Sequence, residues 1–192
     1  YGAYGFRIRS QLFEAIQKLE EDKYTRQAYI SIYNEKDIFA KTKDVPCNCA
    51  IQFLIRDNKL YMRVEARSID YITGLSIDMI HWQIVYQAMF NELSLIYPNL
   101  KYGGTLTYSI GSLHVYERDK AQFDSWNMAQ DYFEYTIEIH LSLRALLERS
   151  HEFISANSLA DLSKIFQFSE IDYYILERLQ IVFFNRKFKV QR

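Results

Sequence analysis

The chain has few cysteines, prolines and glycines: two, two and six in 192 residues. So little glycine and proline excludes a flexible linker or a low-complexity protein. Two cysteines are too few for a disulfide framework and are typical of an intracellular protein. The sequence also lacks any apolar run near the roughly 18 residues that span a bilayer. We therefore expect a cytoplasmic protein with no membrane partner.

An excess of one charge is missing as well. The 23 basic and 24 acidic side chains leave a net charge of -1, and they are mixed along the chain. Proteins that bind nucleic acid usually carry a basic excess or patch, so we expect no nucleic-acid partner. Because the first residue is Tyr1 rather than methionine, we expect further residues upstream of it.

Apolar and aromatic residues are abundant: 49% of the chain is hydrophobic, with 16 Tyr and 13 Phe. That material is enough for the core of one domain. The sequence shows no repeat, linker or domain boundary. We therefore predict that 1–192 is a single domain.

The first half of the chain predicts a mixture of helix and strand. Apolar residues at helical spacing predict a helix over 10–23 with Ser10 as its N-cap, and 26–34 is typical of a strand. Two β-rich runs flank the turn dipeptide Asp57-Asn58, which predicts a hairpin. The second arm of this hairpin alternates, and its predicted buried residues are Leu60, Met62, Val64 and Ala66.

The second half predicts a long central helix over 76–97, because that stretch is largely apolar. The stretch 105–117 predicts a strand pair or one long bent strand, and further helices are predicted near 118–131 and 134–150. In a strand, alternate side chains share a face. That period of two places three polar residues together: Ser112, His114 and Tyr116.

Both cysteines lie in the stretch "PCNC", and several roles are open for them. A redox pair prefers Cys-x-x-Cys, and a structural zinc site needs two further ligands at ligand spacing. Neither pattern occurs, so we expect no metal. Two small buried thiols are the ordinary interpretation. The alternative is a nucleophilic Cys47 that projects from a loop behind Pro46, with Arg67 at the end of the adjacent hairpin arm to stabilise the thiolate.

Six motifs occur in a fixed order: "YG", "TRQAYISIYN", "PCN", "QFLIRDNKLYMRVEARSID", "GLSID" and "GSLHVY". In this order and at these separations the chain resembles the thymidylate synthase superfamily, especially its phage deoxycytidylate hydroxymethylase branch. The resemblance covers about 1–120. It implies a thymidylate synthase-like α+β fold: a mixed, kinked sheet packed with a long central helix, and a sheet face that forms a homodimer. If a phage encodes the chain, its location is the host cytoplasm.

The resemblance implies that Cys47 adds to C6 of a pyrimidine nucleotide monophosphate, after which C5 attacks the one-carbon unit of 5,10-methylenetetrahydrofolate. A hydroxymethylase finally adds water, whereas a thymidylate synthase transfers a hydride from the folate. Both products stay open. So does an inactive binding or regulatory subunit, because the family's proton-relay glutamate lies upstream of "YG", where this sequence has no counterpart. Cys49 matches no motif position and is expected to be structural.

The phosphate of the nucleotide calls for guanidinium groups and a hydroxyl. The matching positions are Arg67 and Ser68, together with Arg26, which in the family reaches across from the partner subunit. The family usually has two consecutive arginines where this chain has Arg26-Gln27. One phosphate contact is therefore weakened or supplied by another residue.

Five further positions match residues of the family's site. His114 and Tyr116 match the pair that binds the sugar hydroxyl. Tyr4 matches a tyrosine that takes part in removing the C5 proton. Asp70 and Gly74 match positions that line the folate site.

Asp78, in "GLSID", stands where thymidylate synthases have an asparagine. An asparagine amide donates to O4 of uracil and accepts from its N3 proton, whereas cytosine presents an amino donor and an acceptor N3. A carboxyl group accepts from that amino group and, when protonated, donates to N3. The alternative is that Asp78 is the N-cap of the long helix. We interpret it as the residue that selects cytosine, which makes 5-hydroxymethylcytidylate the expected product, with ribose and deoxyribose both open.

Overall fold

The structure is a computed structural model that describes residues 2–125 and 143–144. Helices and strands of the described part confirm the predicted α+β class. In chain order they are α1 (Tyr4–Glu21), β1 (Tyr29–Ser31), α2 (Glu35–Ile38), β2 (Asn48–Arg56), β3 (Lys59–Ala66), β4 (Ile69–Asp70), α3 (Gly74–Ile96), β5 (Leu106–Ile110), β6 (Leu113–His114), a 3-10 turn (Glu117–Asp119) and α4 (Lys120–Ser125).

Helix α1 begins at Tyr4, six residues before the predicted start. The prediction that Ser10 is the N-cap is therefore wrong, since Ser10 lies inside the helix. The extra turn forms because Ile8 continues the buried stripe one turn upstream and adds to the apolar contact that stabilises the helix. The stripe consists of Ile8, Leu12, Ala15, Ile16 and Leu19.

A buried ion pair fixes the short helix α2 against α1. The guanidinium of Arg7 binds both carboxylate oxygens of Asp37, with Nη1 2.7 Å from Oδ2 and Nη2 2.8 Å from Oδ1. Asp37 is 2% exposed. The same carboxylate accepts the backbone N–H of Asn34 at the start of α2. One side chain thus caps α2 and ties it to α1.

Four strands form a mixed sheet in the order β1-β2-β3-β5. The predicted hairpin is confirmed: β2 and β3 are antiparallel, and the turn residues Asp57 and Asn58 have φ of 50° and 55°, a conformation that these residue types tolerate. The four residues predicted to be buried on β3 are all at most 6% exposed. The strand predicted over 26–34 is shorter than expected, because only β1 pairs with β2.

A β-bulge interrupts the β2–β3 register at Cys49, between Asn48 and Ala50. Strict alternation would put Asn48 on the same face of the sheet as Ala50 and Gln52. The bulge resets the alternation, and Asn48 turns inward to reach Asp78 on α3. The kinked shape and the dimer face implied by the resemblance stay predictions.

The stretch 105–117 forms two short strands in different sheets. Strand β5 runs parallel to β3, and β6 pairs with β4 in a second, two-stranded sheet. Gly111 lies between β5 and β6 and donates its N–H to the carbonyl of Ala66. A Cβ atom at Gly111 would lie 2.9 Å from the carbonyl oxygen of Arg67, so the close approach requires glycine. This approach places 112–116 beside 67–70.

The predicted long helix is confirmed as α3, which begins two residues earlier than expected. Its N-terminus is capped by Asp70, whose Oδ2 accepts from the N–H groups of Thr73 (2.8 Å) and Gly74 (3.1 Å). The alternative that Asp78 is the N-cap is therefore wrong. Asp78 lies in the second turn of α3 and is 9% exposed.

The core lies between α1, α3 and the inner face of the four-stranded sheet. Of the helix predicted over 118–131, the described residues show the 3-10 turn and α4. The remainder of that prediction lies outside the described residues, as does the helix predicted over 134–150 apart from 143–144. Among the described helices, none has the length and apolar character that crossing a bilayer requires.

Candidate active site

One cavity of about 500 Å³ brings together nine of the ten residues that the sequence analysis selected. It lies where the loop before β2, the end of β3, the N-terminus of α3 and the residues around β6 meet. The tenth residue, Arg26, does not line this cavity. It is exposed, and its carbonyl oxygen accepts from Nε2 of Gln52 at 3.0 Å. The nine lining residues are Tyr4, Cys47, Arg67, Ser68, Asp70, Gly74, Asp78, His114 and Tyr116.

Arg67 holds the loop that carries Cys47. Its Nε donates to the carbonyl of Pro46 at 2.9 Å, and its Nη2 donates to the carbonyl of Val45 at 3.1 Å. The same Nη2 lies 3.9 Å from the Sγ of Cys47. The guanidinium therefore fixes the loop and places a positive charge beside the thiol.

Burial raises the pKa of the Cys47 thiol, the charge of Arg67 opposes that rise, and the nearby Asp78 adds to it. The thiol form therefore predominates at neutral pH, and its proton has to leave before the sulfur can attack. Cys49 is free as well, and its Sγ lies 3.6 Å from the carbonyl oxygen of Cys47. Cys49 does not line the cavity.

Asp78 is held by two side chains that the sequence analysis missed. Nδ2 of Asn48 donates to Oδ2 of Asp78 at 2.7 Å, and the hydroxyl of Tyr108 lies 3.1 Å from the same oxygen. The Tyr108 hydroxyl also donates to Oδ1 of Asn48. Burial raises the pKa of the Asp78 carboxyl, and the hydrogen-bond contacts with Asn48 and Tyr108 oppose that rise. Asp78, Asn48 and Tyr108 come from α3, β2 and β5, so three elements converge here.

Tyr4 brings the start of α1 to the cavity. Its hydroxyl oxygen accepts from the backbone N–H of Asn48 at 3.4 Å, and its ring packs on Trp82 with centroids 5.7 Å apart. Burial raises the pKa of the Tyr4 phenol, and Asp78 adds to that rise. The phenol is therefore neutral over the physiological pH range and can both donate and accept a hydrogen bond.

Ser68, His114 and Tyr116 form a polar wall. The Oγ of Ser68 lies 3.4 Å from Nδ1 of His114, and the rings of His114 and Tyr116 are perpendicular with centroids 5.0 Å apart. Two cations that the sequence analysis did not select also line the cavity: Lys43 and Arg118. Cζ of Arg118 lies 4.7 Å from the Tyr116 ring centroid. Within the described part of the chain, Lys43 has no hydrogen-bond or ion-pair partner.

Asp70 lines the cavity beside His114, its partner residue in the β4–β6 pair. Its Oδ2 is occupied by the N-terminus of α3, and its Oδ1 makes a contact of 3.4 Å with the N–H of Ile72. Oδ1 is thus the oxygen left to accept a bond from a bound molecule. Ile77 adds an apolar surface beside it. A flat heterocycle with N–H donors fits such a combination.

The α+β fold and the cavity that contains Cys47 are those expected from the resemblance, and a comparison with known protein families gives the same family. Residues 3–161 match the family model described as thymidylate synthase. The chain therefore belongs to the thymidylate synthase family, which confirms the resemblance seen in its motifs.

Individual relatives have different substrates in their names. The chain is 32% identical over 104 residues to the deoxycytidylate 5-hydroxymethyltransferase of Enterobacteria phage T6, covering 54% of this chain and 41% of that protein. It is 34% identical over 95 residues to the deoxyuridylate hydroxymethyltransferase of Pseudomonas phage M6, covering 45% and 27%. To the thymidylate synthase of Mycoplasma genitalium it is 24% identical over 107 residues, covering 56% and 35%. The chain thus matches about two fifths or less of the length of each relative.

Proposed function

We propose that this chain carries the site of a folate-dependent enzyme that hydroxymethylates C5 of cytidylate through a covalent adduct at Cys47. The observation that carries the proposal is the buried Asp78 carboxyl. It lies in the same cavity as the Cys47 thiol, at the position where uridylate enzymes have an amide. The similarity to the phage T6 deoxycytidylate enzyme supports the same substrate.

Cys47 is the proposed nucleophile. Once its proton has left, the sulfur bonds to C6 of the pyrimidine and the electron pair of the C5–C6 double bond moves toward C5. The neighbouring Arg67 favours the thiolate form. The Tyr4 phenol, which lines the same cavity, is the proposed relay: its oxygen takes the C5 proton as its own hydroxyl proton passes to water. C5 loses that proton only after it has bonded to the one-carbon unit that 5,10-methylenetetrahydrofolate would supply. Water then adds to this carbon as the folate nitrogen leaves, and expulsion of the Cys47 sulfur restores the C5–C6 double bond.

The cations of the cavity are the proposed phosphate site. Arg67 has five N–H donors, and the two that bind loop carbonyls leave others for phosphate oxygens, beside the Ser68 hydroxyl. The family usually has two consecutive arginines where this chain has Arg26-Gln27. Lys43 is the proposed source of the positive charge that is missing at Gln27. His114 and Tyr116 are the proposed partners of the sugar hydroxyl.

The Asp70 side of the cavity is the proposed place of 5,10-methylenetetrahydrofolate, which supplies a one-carbon unit at the oxidation level of formaldehyde. Oδ1 of Asp70 would accept N–H donors of the pterin. Ile77 and Gly74 would pack against the flat ring. With these residues the cavity offers both the acceptor and the apolar surface that such a ring needs.

A homodimer is part of the proposal. Arg26 is exposed and does not line the cavity of its own chain, as expected for a residue that reaches the site of a partner subunit. The outer face of the four-stranded sheet is the proposed contact. Its exposed Tyr29 and partly buried Leu54 give it apolar surface.

Two other functions have specific support. Methyl transfer is supported by the similarity to a thymidylate synthase, and uridylate as substrate by the similarity to a deoxyuridylate hydroxymethyltransferase.

The deciding experiment incubates the chain with cytidylate or uridylate labelled with tritium at C5 and with 5,10-methylenetetrahydrofolate. The proposal expects tritium release and 5-hydroxymethylcytidylate, identified by mass spectrometry, without formation of dihydrofolate. Cys47→Ala should abolish both signals, and the matched control Cys49→Ala should retain them. Dihydrofolate with a methylated product would establish methyl transfer, and no release from either nucleotide would establish the inactive subunit.

A further inference from the structure

Asp78, Asn48 and Tyr108 form a closed ring of three contacts inside the protein. Nδ2 of Asn48 contacts Oδ2 of Asp78, Oδ1 of Asn48 contacts the Tyr108 hydroxyl, and that hydroxyl contacts Oδ2 of Asp78. Asn48 is fully buried and Asp78 is 9% exposed. Water therefore has little access to these atoms and cannot supply a hydrogen bond where one of the contacts lacks a proton.

Each of the three contacts needs one proton between its two heavy atoms. Asn48 supplies one proton, through its N–H toward Asp78, and Tyr108 supplies one, because a phenol carries a single hydroxyl hydrogen. Two protons cannot fill three contacts. An ionised Asp78 supplies no proton. In one of the three contacts, two oxygen atoms would therefore face each other with no hydrogen between them.

The count does not depend on which way the Asn48 amide is oriented. If the amide is turned over, its N–H points at Tyr108, the Tyr108 hydroxyl donates to Asp78, and the amide oxygen faces Oδ2 of Asp78. Again two protons serve three contacts. In both orientations the missing proton is supplied if Asp78 itself is protonated.

We propose that Asn48 and Tyr108 are positioning residues that hold a proton on Asp78 at neutral pH. The charged and titratable groups around Asp78 are compatible with this. Cys47 and Tyr4, which interact with Asp78, are neutral at that pH because burial raises the pKa of each. His81, on the same helix, favours ionisation of Asp78, and burial lowers the pKa of His81, which keeps it largely neutral.

A proton held on Asp78 gives the proposed preference for cytosine a physical basis. This part of the inference rests on the proposed function. A neutral carboxyl accepts through one oxygen and donates through the other. When cytidylate binds, N3 of cytosine would replace the Tyr108 oxygen as the acceptor of the Asp78 proton, while the amino group of cytosine donates to Oδ1. An ionised carboxylate can only accept and leaves N3 without a donor. Within the described residues no hydrogen bond reaches Oδ1 of Asp78, so that oxygen is free to accept from the amino group.

The test is a titration of the Asp78 carboxyl carbon by NMR, on the full chain labelled with 13C at aspartate carboxyls and without nucleotide. Asp78→Asn assigns the signal. The expected result is a carboxyl that stays protonated through neutral pH. Tyr108→Phe removes the oxygen that accepts from protonated Asp78, so the titration midpoint should fall by about one pH unit, a tenfold change in the ionisation constant.

The matched control is Tyr86→Phe, which also removes a buried hydroxyl on the core side, one bonded to the carbonyl of Leu60, but lies outside the ring. Its midpoint should equal that of the unmodified chain. A midpoint in the range of an exposed aspartate would overturn the inference. So would a midpoint that rises in Tyr108→Phe, because a Tyr108 that donates to an ionised Asp78 lowers the Asp78 pKa. Should Tyr108→Phe fail to fold, the midpoint of the unmodified chain decides alone.

The titration involves no nucleotide, so it separates the inference from the proposed function. A protonated Asp78 in a protein that prefers uridylate would leave the ring standing and refute the proposed substrate. An ionised Asp78 in a protein that prefers cytidylate would refute the inference that the ring holds a proton on Asp78, and the proposed substrate would stand.

Discussion

Nη2 of Arg67 lies 3.9 Å from Sγ of Cys47, while Nε and Nη2 also hold the carbonyls of Pro46 and Val45. One guanidinium thus does two things. It fixes the shape of the loop that carries the thiol, and it offsets part of the pKa rise that burial imposes on that thiol.

This pairing predicts how Arg67 affects the reactivity of Cys47. Because the charge of Arg67 lowers the Cys47 pKa, Arg67→Met should reduce the thiolate fraction at pH 8 and slow alkylation of Cys47 by iodoacetamide about threefold. In both proteins the rate should increase with pH, because the thiolate fraction rises. Mass spectrometry of the labelled peptide measures the rate, and Arg9→Met, at an exposed arginine on α1 that does not line the cavity, is the control. Faster alkylation in Arg67→Met would contradict the assignment.

The proposed dimer predicts complementation between two inactive variants. In a hybrid of Arg26→Ala and Cys47→Ala subunits, one site carries both defects and the other carries none. If half of the dimers in a refolded mixture are hybrids, activity should return to about a quarter of the unmodified level. A mixture that stays inactive, although hybrid dimers are detected by differently tagged subunits, would show that Arg26 does not act across the interface.

Lys43 should contribute to binding of the phosphate and not of the nucleoside. Lys43→Met is expected to weaken binding of cytidylate about tenfold, roughly 1.4 kcal/mol, because a cation facing the phosphate is lost. Binding of cytidine without phosphate should not change. Isothermal titration calorimetry measures both. Lys41→Met, an exposed lysine of the same loop that does not line the cavity, is the control, and equal losses for cytidylate and cytidine would refute the phosphate contact.

The Arg7–Asp37 pair should be important for stability and not for chemistry. Asp37 is buried and bound at both oxygens, so Asp37→Ala removes the buried carboxylate that balances the charge of a partly buried guanidinium. Removing one partner of a buried pair costs about 3–5 kcal/mol of unfolding free energy. Glu21→Gln breaks the exposed Lys18–Glu21 pair and should cost at most about 0.5 kcal/mol. Urea denaturation compares the two, and equal losses would mean that the buried pair adds nothing special.

The residues proposed to carry the chemistry were selected from the sequence, and nine of the ten line one cavity. Cys47 behind Pro46 and Asp78 in "GLSID" needed only the motif order, and the hairpin at Asp57-Asn58 needed only turn chemistry. These signals are local, and local signals are available in a single sequence.

Contacts that depend on tertiary register were not predictable. Asn48 turns inward because of a bulge at Cys49, and alternation alone places it on the other face. Tyr108 reaches Asn48 because β5 pairs with β3 in parallel, with Tyr108 opposite Val64. The start of α1 before Ser10 likewise depends on the packing of Ile8 in the core. None of these pairings leaves a signal in residue spacing.

The central claim is that Asp78 selects cytosine, and the most direct test is the ratio of kcat/KM for cytidylate and uridylate in the unmodified chain and in Asp78→Asn. Each mismatched buried hydrogen bond costs about 1–3 kcal/mol, so two should give the unmodified chain a preference for cytidylate of roughly a hundredfold or more. Asp78→Asn, nearly the same in size, should lose cytidylate turnover and gain exchange of the C5 hydrogen of uridylate. A chain that prefers uridylate, or a ratio that Asp78→Asn leaves unchanged, would contradict the claim.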